Sequence, residues 1–423
     1  MNNAAIPEEF YFNPLSPSYL ENPAPAIKRL QEDSPVFFYE PLGCWVVSRF
    51  ADLREAFRDT ATFSSQATGL RRPPLDLEEA VADLTVEKIV IMLDPPEHTL
   101  HRNAIAKGFG SAFINSLGDR IKGAANELID RFIERGHTDL MTQFCMPLTM
   151  ETIIHLLQIP GDRRTDYFQW SADFFSLLSP RAPGNSEERR DIDDVSLRER
   201  WSRLAEANSF IRSYIADLKN NLGSDIISGM LKPGENGSSA IHESAVVGHL
   251  LSIIGAGHDT TANAIAHTVH YLSTAIEQRD EMVANPDLIA NAIEEAIRMR
   301  GSVPGIFRYT TCDVELGGVT IPANSLVYLL AAASGHDESV FPDSMRFDIH
   351  RENASKHLAF GFGRHNCVGS GLARLQAGIA IRELYRRMPD LREAPGFRRT
   401  YRPFLTVTGL TSLEVTWKPP CKS

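Results

Sequence analysis

The stretch "FGFGRHNCVG", residues 360–369, sets a cysteine among three glycines, a histidine and an arginine. A thiol does chemistry as its thiolate, so its surroundings decide what it can do. Val368, Leu372, Leu375 and Ile379 follow at helical spacing, which predicts a helix starting just after Cys367. The positive end of that helix favours the thiolate. Gly361, Gly363 and Gly369 let the main chain turn tightly and let a flat ligand lie against it. A cysteine in an apolar segment is ordinarily a small buried hydrophobe; the glycine frame and His365 set this one apart. Cys367 and His365 could also make a nucleophile and its base, but no third group to orient the base is evident.

Three other stretches hold groups of interest. "GAGHDTT", residues 255–261, puts Asp259 and Thr260 in the middle of an apolar helical run; alone it reads as a polar wedge bonded back to the preceding turn. "DPPEHTLHR", residues 94–102, opens a helix at its prolines, and His98 and Arg102 share one face. "EEAIR", residues 294–298, spaces Glu295 and Arg298 as a helical ion pair, which on a surface contributes little.

Helical periodicity predicts the elements that position these groups at roughly 102–135, 147–158, 164–178, 196–220, 243–273, 286–299 and 368–388. "PVFFYEPLGCWVVS" reads as two strands about a turn at Gly43. "VELGGVTIPANSLVYLL" reads as strand, Gly-Gly turn, strand, and "FLTVTGLTSLEVTW" as a second hairpin. Residues 179–196, charged and containing Pro and Gly, read as a long loop. The sum is a mainly α protein with a small β region.

A chain of 423 residues can bury a large core and a bulky cofactor within it. The net charge of -11 argues against general nucleic-acid affinity. Five scattered cysteines make a poor disulfide framework and fit a reducing compartment. No C-x-x-C pair suggests a zinc site, and no leader or membrane anchor is evident, so a cytoplasmic protein is expected.

The cysteine stretch closely resembles the haem-binding loop of the cytochrome P450 family, F-G-x-G-x-H-x-C-x-G followed by L-A-R. Phe360, Gly361, Gly363, His365, Cys367, Gly369 and "LAR" at 372–374 all match. The resemblance implies the cytochrome P450 fold over residues 1–423 as one domain, with about 1–29 a lead-in segment. It implies haem b (iron protoporphyrin IX) with Cys367 as the axial thiolate, whose electron push favours O–O cleavage. His98, Arg102, Arg308 and His365 would hold the propionates. Ala256 and Gly257 would leave room for the iron's ligand, Thr260 would hydrogen-bond bound oxygen, and Asp259 would relay protons. Glu295, Arg298 and Arg346, the last from "PDSMRFD", would form a buried structural triad. The aromatic residue usual after that helical arginine is replaced by Met299 and Arg300.

The function so implied is a haem-thiolate monooxygenase. It would take two electrons from NAD(P)H through a ferredoxin or flavodoxin and its reductase, and would oxidise a mainly apolar small molecule, such as an aromatic, terpenoid or natural-product intermediate. Arg102, Lys107, Arg364 and Arg374 would give the cysteine side a basic face for the redox partner. Ile253, Ala256, Val303, Pro304, Ile306, Phe404 and Leu405 would lie near substrate. Arg71 and Arg72, in "GLRRPPL", read as a solvated loop pair or as a grip on a substrate anion. A peroxide-driven or isomerising haem enzyme is the nearest alternative, and a haem sensor without turnover a further one.

Overall fold

The structure, a computed structural model, describes residues 12–82, 84, 88–158, 163–180, 194–223, 225–232 and 241–420. Its axis is the helix Glu243–Thr274, which starts where the His242 side chain accepts a hydrogen bond from Ser244 N. That helix is apolar on nearly every face, so it is stable only when surrounded. Met146–Leu157, Arg164–Ser176, Ile289–Met299 and Ser370–Arg387 pack around it and share the main core. Gly257 lets Ile153 of one neighbour approach the helix backbone, and Gly255 does the same for Ser171 and Phe175 of another. The space expected at Gly257 for a ligand is therefore taken by helix packing.

The β region is built as its alternation suggests. Val36–Tyr39 and Cys44–Val47 pair antiparallel, and the turn between them closes at Gly43 with φ 58°. Leu326–Leu329 joins Cys44–Val47 in parallel, followed by Ile306–Thr310 and Phe63–Ser64, making a five-stranded sheet. Val314–Leu316 and Val319–Ile321 form the expected hairpin about Gly317 and Gly318. Thr68–Leu70 pairs antiparallel with Leu178–Pro180, a ladder between distant loops that neither segment announces.

Two readings are corrected. The helix expected over 102–135 is divided into Glu97–Ala106, Ser111–Ser116 and Gly118–Asp130. Gly110 breaks the run with extended backbone, and Gly108 lies tight against Ile226. The hairpin expected within 404–417 is absent: Gly409–Leu410 pairs back with Tyr401–Arg402, and Glu414–Thr416 lies between Arg392–Glu393 and His137–Asp139. Of the loop expected over 179–196, residues 181–193 lie outside the described residues, and a helix runs Asp194–Leu218.

The triad is also corrected. Arg298 Nε and Nη2 donate to the two Glu295 carboxylate oxygens at 2.6 and 2.8 Å, both side chains at 0% exposure. The second arginine on Glu295 is Arg351, whose Nε donates at 3.0 Å and whose side chain is 8% exposed. Arg346 turns its side chain outward, 68% exposed and 3.9 Å from Asp348. Its backbone oxygen accepts from Arg298 and Arg351, so the residue reaches the triad through its main chain. Removing one partner of a buried pair strands the other charge. Arg351→Met should therefore cost about 3–4 kcal/mol in urea unfolding, whereas Arg346→Met should stay within about 0.5 kcal/mol; equal losses would return the triad to Arg346.

Candidate active site

Cys367 N donates to Phe360 O at 2.8 Å, closing a loop in which Gly361 and Gly363 both take φ 70°. The helix Ser370–Arg387 begins just beyond. Cys367 keeps accessible surface at the base of this loop. Burial pushes its thiol up, and this outweighs the opposing amides of Gly369 and Ser370 and the charges of Arg102 and Arg374. The helix end thus does not by itself yield a thiolate here. A sulfur in this state suits a cation that displaces its proton. It does not suit a hydrolytic nucleophile, and His365, which points to Ser65 Oγ at 3.0 Å, is depressed to about 2 and is no base.

The sequence-selected basic groups meet around His365. The rings of His98 and His365 lie 4.1 Å apart. Burial is the main cause of His98 falling to about 4, and the charges of Arg102, Arg364 and Arg308 add to it. Burial likewise lowers Arg102, and takes Arg308, mid-strand in Ile306–Thr310, to about 10. Asp94 opposes these shifts at His98 and Arg308, but its oxygens already accept from Ser64 Oγ and Ser65 N. Both ring nitrogens of His98 are buried without a hydrogen-bond partner among the described residues. Buried polar groups without partners are costly, and a ligand bearing carboxylates would accept from the ring N–H and favour the charged ring.

On the central helix Thr260 Oγ1 donates to Ala256 O at 2.6 Å, and Ala256 keeps accessible surface between buried turns. His258 Nδ1 lies 3.1 Å from Asp259 Oδ1, and Arg402 Nη1 lies 3.1 Å from Oδ2. Burial would push the Asp259 carboxyl up, but the hydrogen bond and charge of His258 and the charge of Arg402 outweigh it and hold the group below its usual range. Ser302 Oγ donates to Thr260 O at 3.0 Å, and Thr408 N to Ser302 O at 2.9 Å. Asn263 donates to Asp259 O at 2.8 Å and accepts from Leu410 N at 2.7 Å, with Gly409 leaving room for its amide. The 401–410 hairpin is thus laced to the helix beside the acid and the hydroxyl.

Of the residues expected near substrate, Ile253, Val303 and Ile306 are half-buried, and Ala256 and Phe404 are exposed. Pro304 and Leu405 also brace the scaffold: their carbonyls accept from Ala332 N and Tyr328 Oη. Arg374 is not a free surface cation, since it pairs with Glu294 at 2.6 Å and stacks over Phe360; Lys107 and Arg364 are exposed. His258, Arg402, Ser65 and Asp94 were not selected from sequence. Their partners lie in distant segments, apart from His258, which flanks Asp259 in "GAGHDTT".

The sequence profile of the cytochrome P450 family matches residues 70–387. This chain belongs to the cytochrome P450 family. It is 30% identical over 409 residues to the vitamin D(3) 25-hydroxylase of Pseudonocardia autotrophica, covering 96% of each chain. It is 30% identical over 395 residues to a steroid C26-monooxygenase of Mycobacterium tuberculosis, covering 93% of each. The solved structure of cytochrome P450 CREJ in complex with (4-ethylphenyl) dihydrogen phosphate superposes with TM-score 0.86 at 28% identity, covering 96% of this chain and 99% of that one.

The P450 is an oxidoreductase of the monooxygenase class, with the cytochrome P450 fold, haem b as cofactor, and NAD(P)H electrons arriving through redox partners. The residues fit that cofactor: a free, accessible cysteine in the glycine loop, and a buried basic group short of anions. No described helix is long and apolar enough to cross a membrane. Cys367→Ser should give a folded protein without the thiolate-type spectrum of the reduced carbon monoxide complex, because serine oxygen is a harder donor. Retention of the wild-type spectrum would reassign the ligand.

Proposed function

We propose that this P450 inserts one atom of O2 into a mainly apolar small molecule, using two electrons from a separate ferredoxin or flavodoxin, and that residues 1–423 act as one haem domain. The observation that carries the reading is the acid beside the hydroxyl, with Asp259 held ionised and Thr260 one turn from the accessible Ala256. Haem, when bound, supplies the reductive activation of oxygen, the second oxygen atom leaving as water. Cys367 would hold it from one side, and His98, Arg102, Arg308 and His365 would neutralise its carboxylates. Thr260 Oγ1, its proton on Ala256 O, offers lone pairs to a donor and can turn to give that proton up. Asp259 would replace the proton, passing it from the surface side toward Oγ1. A passive sensor has no use for such a relay, and the positioned Thr260 hydroxyl favours oxygen activation over a peroxide-driven reaction.

Ile253, Val303 and Ile306, expected near substrate and half-buried, are apolar, which supports an apolar body at roughly 25 cal/mol per Å2 buried. The relatives named for vitamin D3 and for steroids are consistent with this. Thr260→Ala should keep haem and ligand affinity but divert electrons to peroxide, whereas Asp259→Asn should slow turnover while product and NADH stay coupled. These are read as peroxide formed per NADH with any screened compound that shifts the haem spectrum. Unchanged coupling in the Thr260 variant would remove the hydroxyl from the relay.

An anionic group on the substrate is supported by Arg71. It is half-buried at the end of the Thr68–Leu70 strand and has no ion-pair partner among the described residues, while Arg72 is exposed. The CREJ structure holds an aryl phosphate. Arg71→Gln should weaken 4-ethylphenyl phosphate about tenfold, the scale of one charge-assisted bond, and leave 4-ethylphenol unchanged. Equal affinities in variant and wild type would return Arg71 to solvent and favour a neutral substrate.

A further inference from the structure

Both oxygens of Asp259 are engaged, Oδ1 by His258 and Oδ2 by Arg402. A carboxylate so held resists protonation, so before it can carry a proton one partner must let go. The two partners differ in how readily they move. His258 neighbours Asp259 on the central helix, is buried, and is braced edge-on by Phe168 at 4.3 Å. Arg402 is 34% exposed and stands on a strand of two residues, paired only as Tyr401 with Leu410 and itself with Gly409.

The chain is held on both sides of Arg402, at Tyr401 before it and at Leu405 after it, whose carbonyl accepts from Tyr328 Oη at 2.6 Å, and only Pro403 and Phe404 between them are exposed. Arg300 lies 4.1 Å over the Tyr401 ring and donates to the carbonyls of Leu20 and Glu21. Beyond Arg402 the chain runs through exposed Pro403 to Phe404, 52% exposed, whose N–H returns to Arg402 O at 3.1 Å. Phe404 is thus joined to Arg402 by one backbone hydrogen bond between the two held positions Tyr401 and Leu405.

We propose that Arg402 is a positioning residue that gates proton delivery by Asp259 and couples it to occupancy of the Phe404–Leu405 turn. The gate rests on the relay role of Asp259 given above. With the turn as it stands, Arg402 keeps the carboxylate ionised; a body seated against Phe404 draws Arg402 away and lets Oδ2 take a proton. The charged or titratable groups that act on Asp259 are His258 from its own helix and Arg402 from the hairpin. The other side chain lacing the two elements together there, Asn263, is neutral. Taking Arg402 away removes a cause that lowers the carboxyl, so Asp259 should hold its proton to higher pH.

The test uses the haem-loaded full chain with a surrogate ferredoxin, its reductase, NADH and O2, and needs no substrate. Wild type, Arg402→Gln, Arg402→Lys, Asp259→Asn and the Arg402→Gln/Asp259→Asn double variant are compared. The readouts are the pH midpoint and solvent deuterium isotope effect of NADH oxidation, and the titration of the protonated-carboxyl infrared band that Asp259→Asn removes. Arg402→Gln should move both midpoints up by about one pH unit, the scale of one nearby charge. Arg402→Lys should restore them, and the double variant should match Asp259→Asn alone. If Asp259→Asn is slow but Arg402→Gln titrates like wild type, or if its effect persists undiminished beside Asp259→Asn, the gate is overturned and Arg402 is structural. An Asp259→Asn variant with wild-type rate and isotope effect would instead overturn the relay, and the gate with it.

Discussion

The carboxylate of Glu295 lies at zero exposure, and the segments leading to the cysteine loop are ordered by how it is matched. Arg298, Arg351 and the N–H of Asp348 all converge on it. Arg298 then spends its remaining donors on the carbonyls of Gly335, Ser344 and Arg346. One ion pair therefore ties a helix to two irregular segments that have little regular structure of their own. Just past them, Leu358 N donates to Ser334 Oγ, so the chain enters the cysteine loop from a fixed point. A buried charge that is fully bonded confines geometry more than it adds stability. Here the bonded network reaches Gly335, next to the Ser334 hydroxyl that receives Leu358 N at the entry to the cysteine loop.

The same rule operates with a different outcome around His98. There the basic groups have too few acidic partners within the protein, and the deficit describes the ligand that belongs there. At Asp259 charge is matched on both oxygens, by a buried histidine and by a part-exposed arginine. One fold thus holds an ion pair that is closed, a basic group that awaits anions, and a carboxylate held by a movable partner. The first gives shape, the second gives affinity for the cofactor, and the third leaves room for regulation.

Much of the site was legible where its pattern is local. Glycines, a histidine and a cysteine within ten residues carry the turn and the sulfur in one short segment, and the central helix declared itself by its apolar run. What could not be read were contacts whose partners are distant. Arg346 and Arg351 differ in sequence only by place, yet Arg351 turns inward onto Glu295 and the carbonyls of Pro342, Asp343 and Arg346, while the Arg346 side chain stays outward beside Asp348. The 404–417 alternation suggested a hairpin, yet each short strand had a better-placed partner earlier in the chain. Gly257 read as clearance for a ligand because a missing Cβ does not say which neighbour uses the space.

The ladder between Thr68–Leu70 and Leu178–Pro180 joins loops that lie far apart in the chain, and it is reinforced by Arg198, which grips Asp76 with two nitrogens, and by Asn208, which reaches Ala80 O. A one-residue slip in such a ladder turns every side chain to the other face. The two segments therefore have to match each other in register. In recombination among P450s the two loops form a single inheritable block: a crossover that takes one from a donor and leaves the other would break the register, even where every side chain in the pocket were compatible.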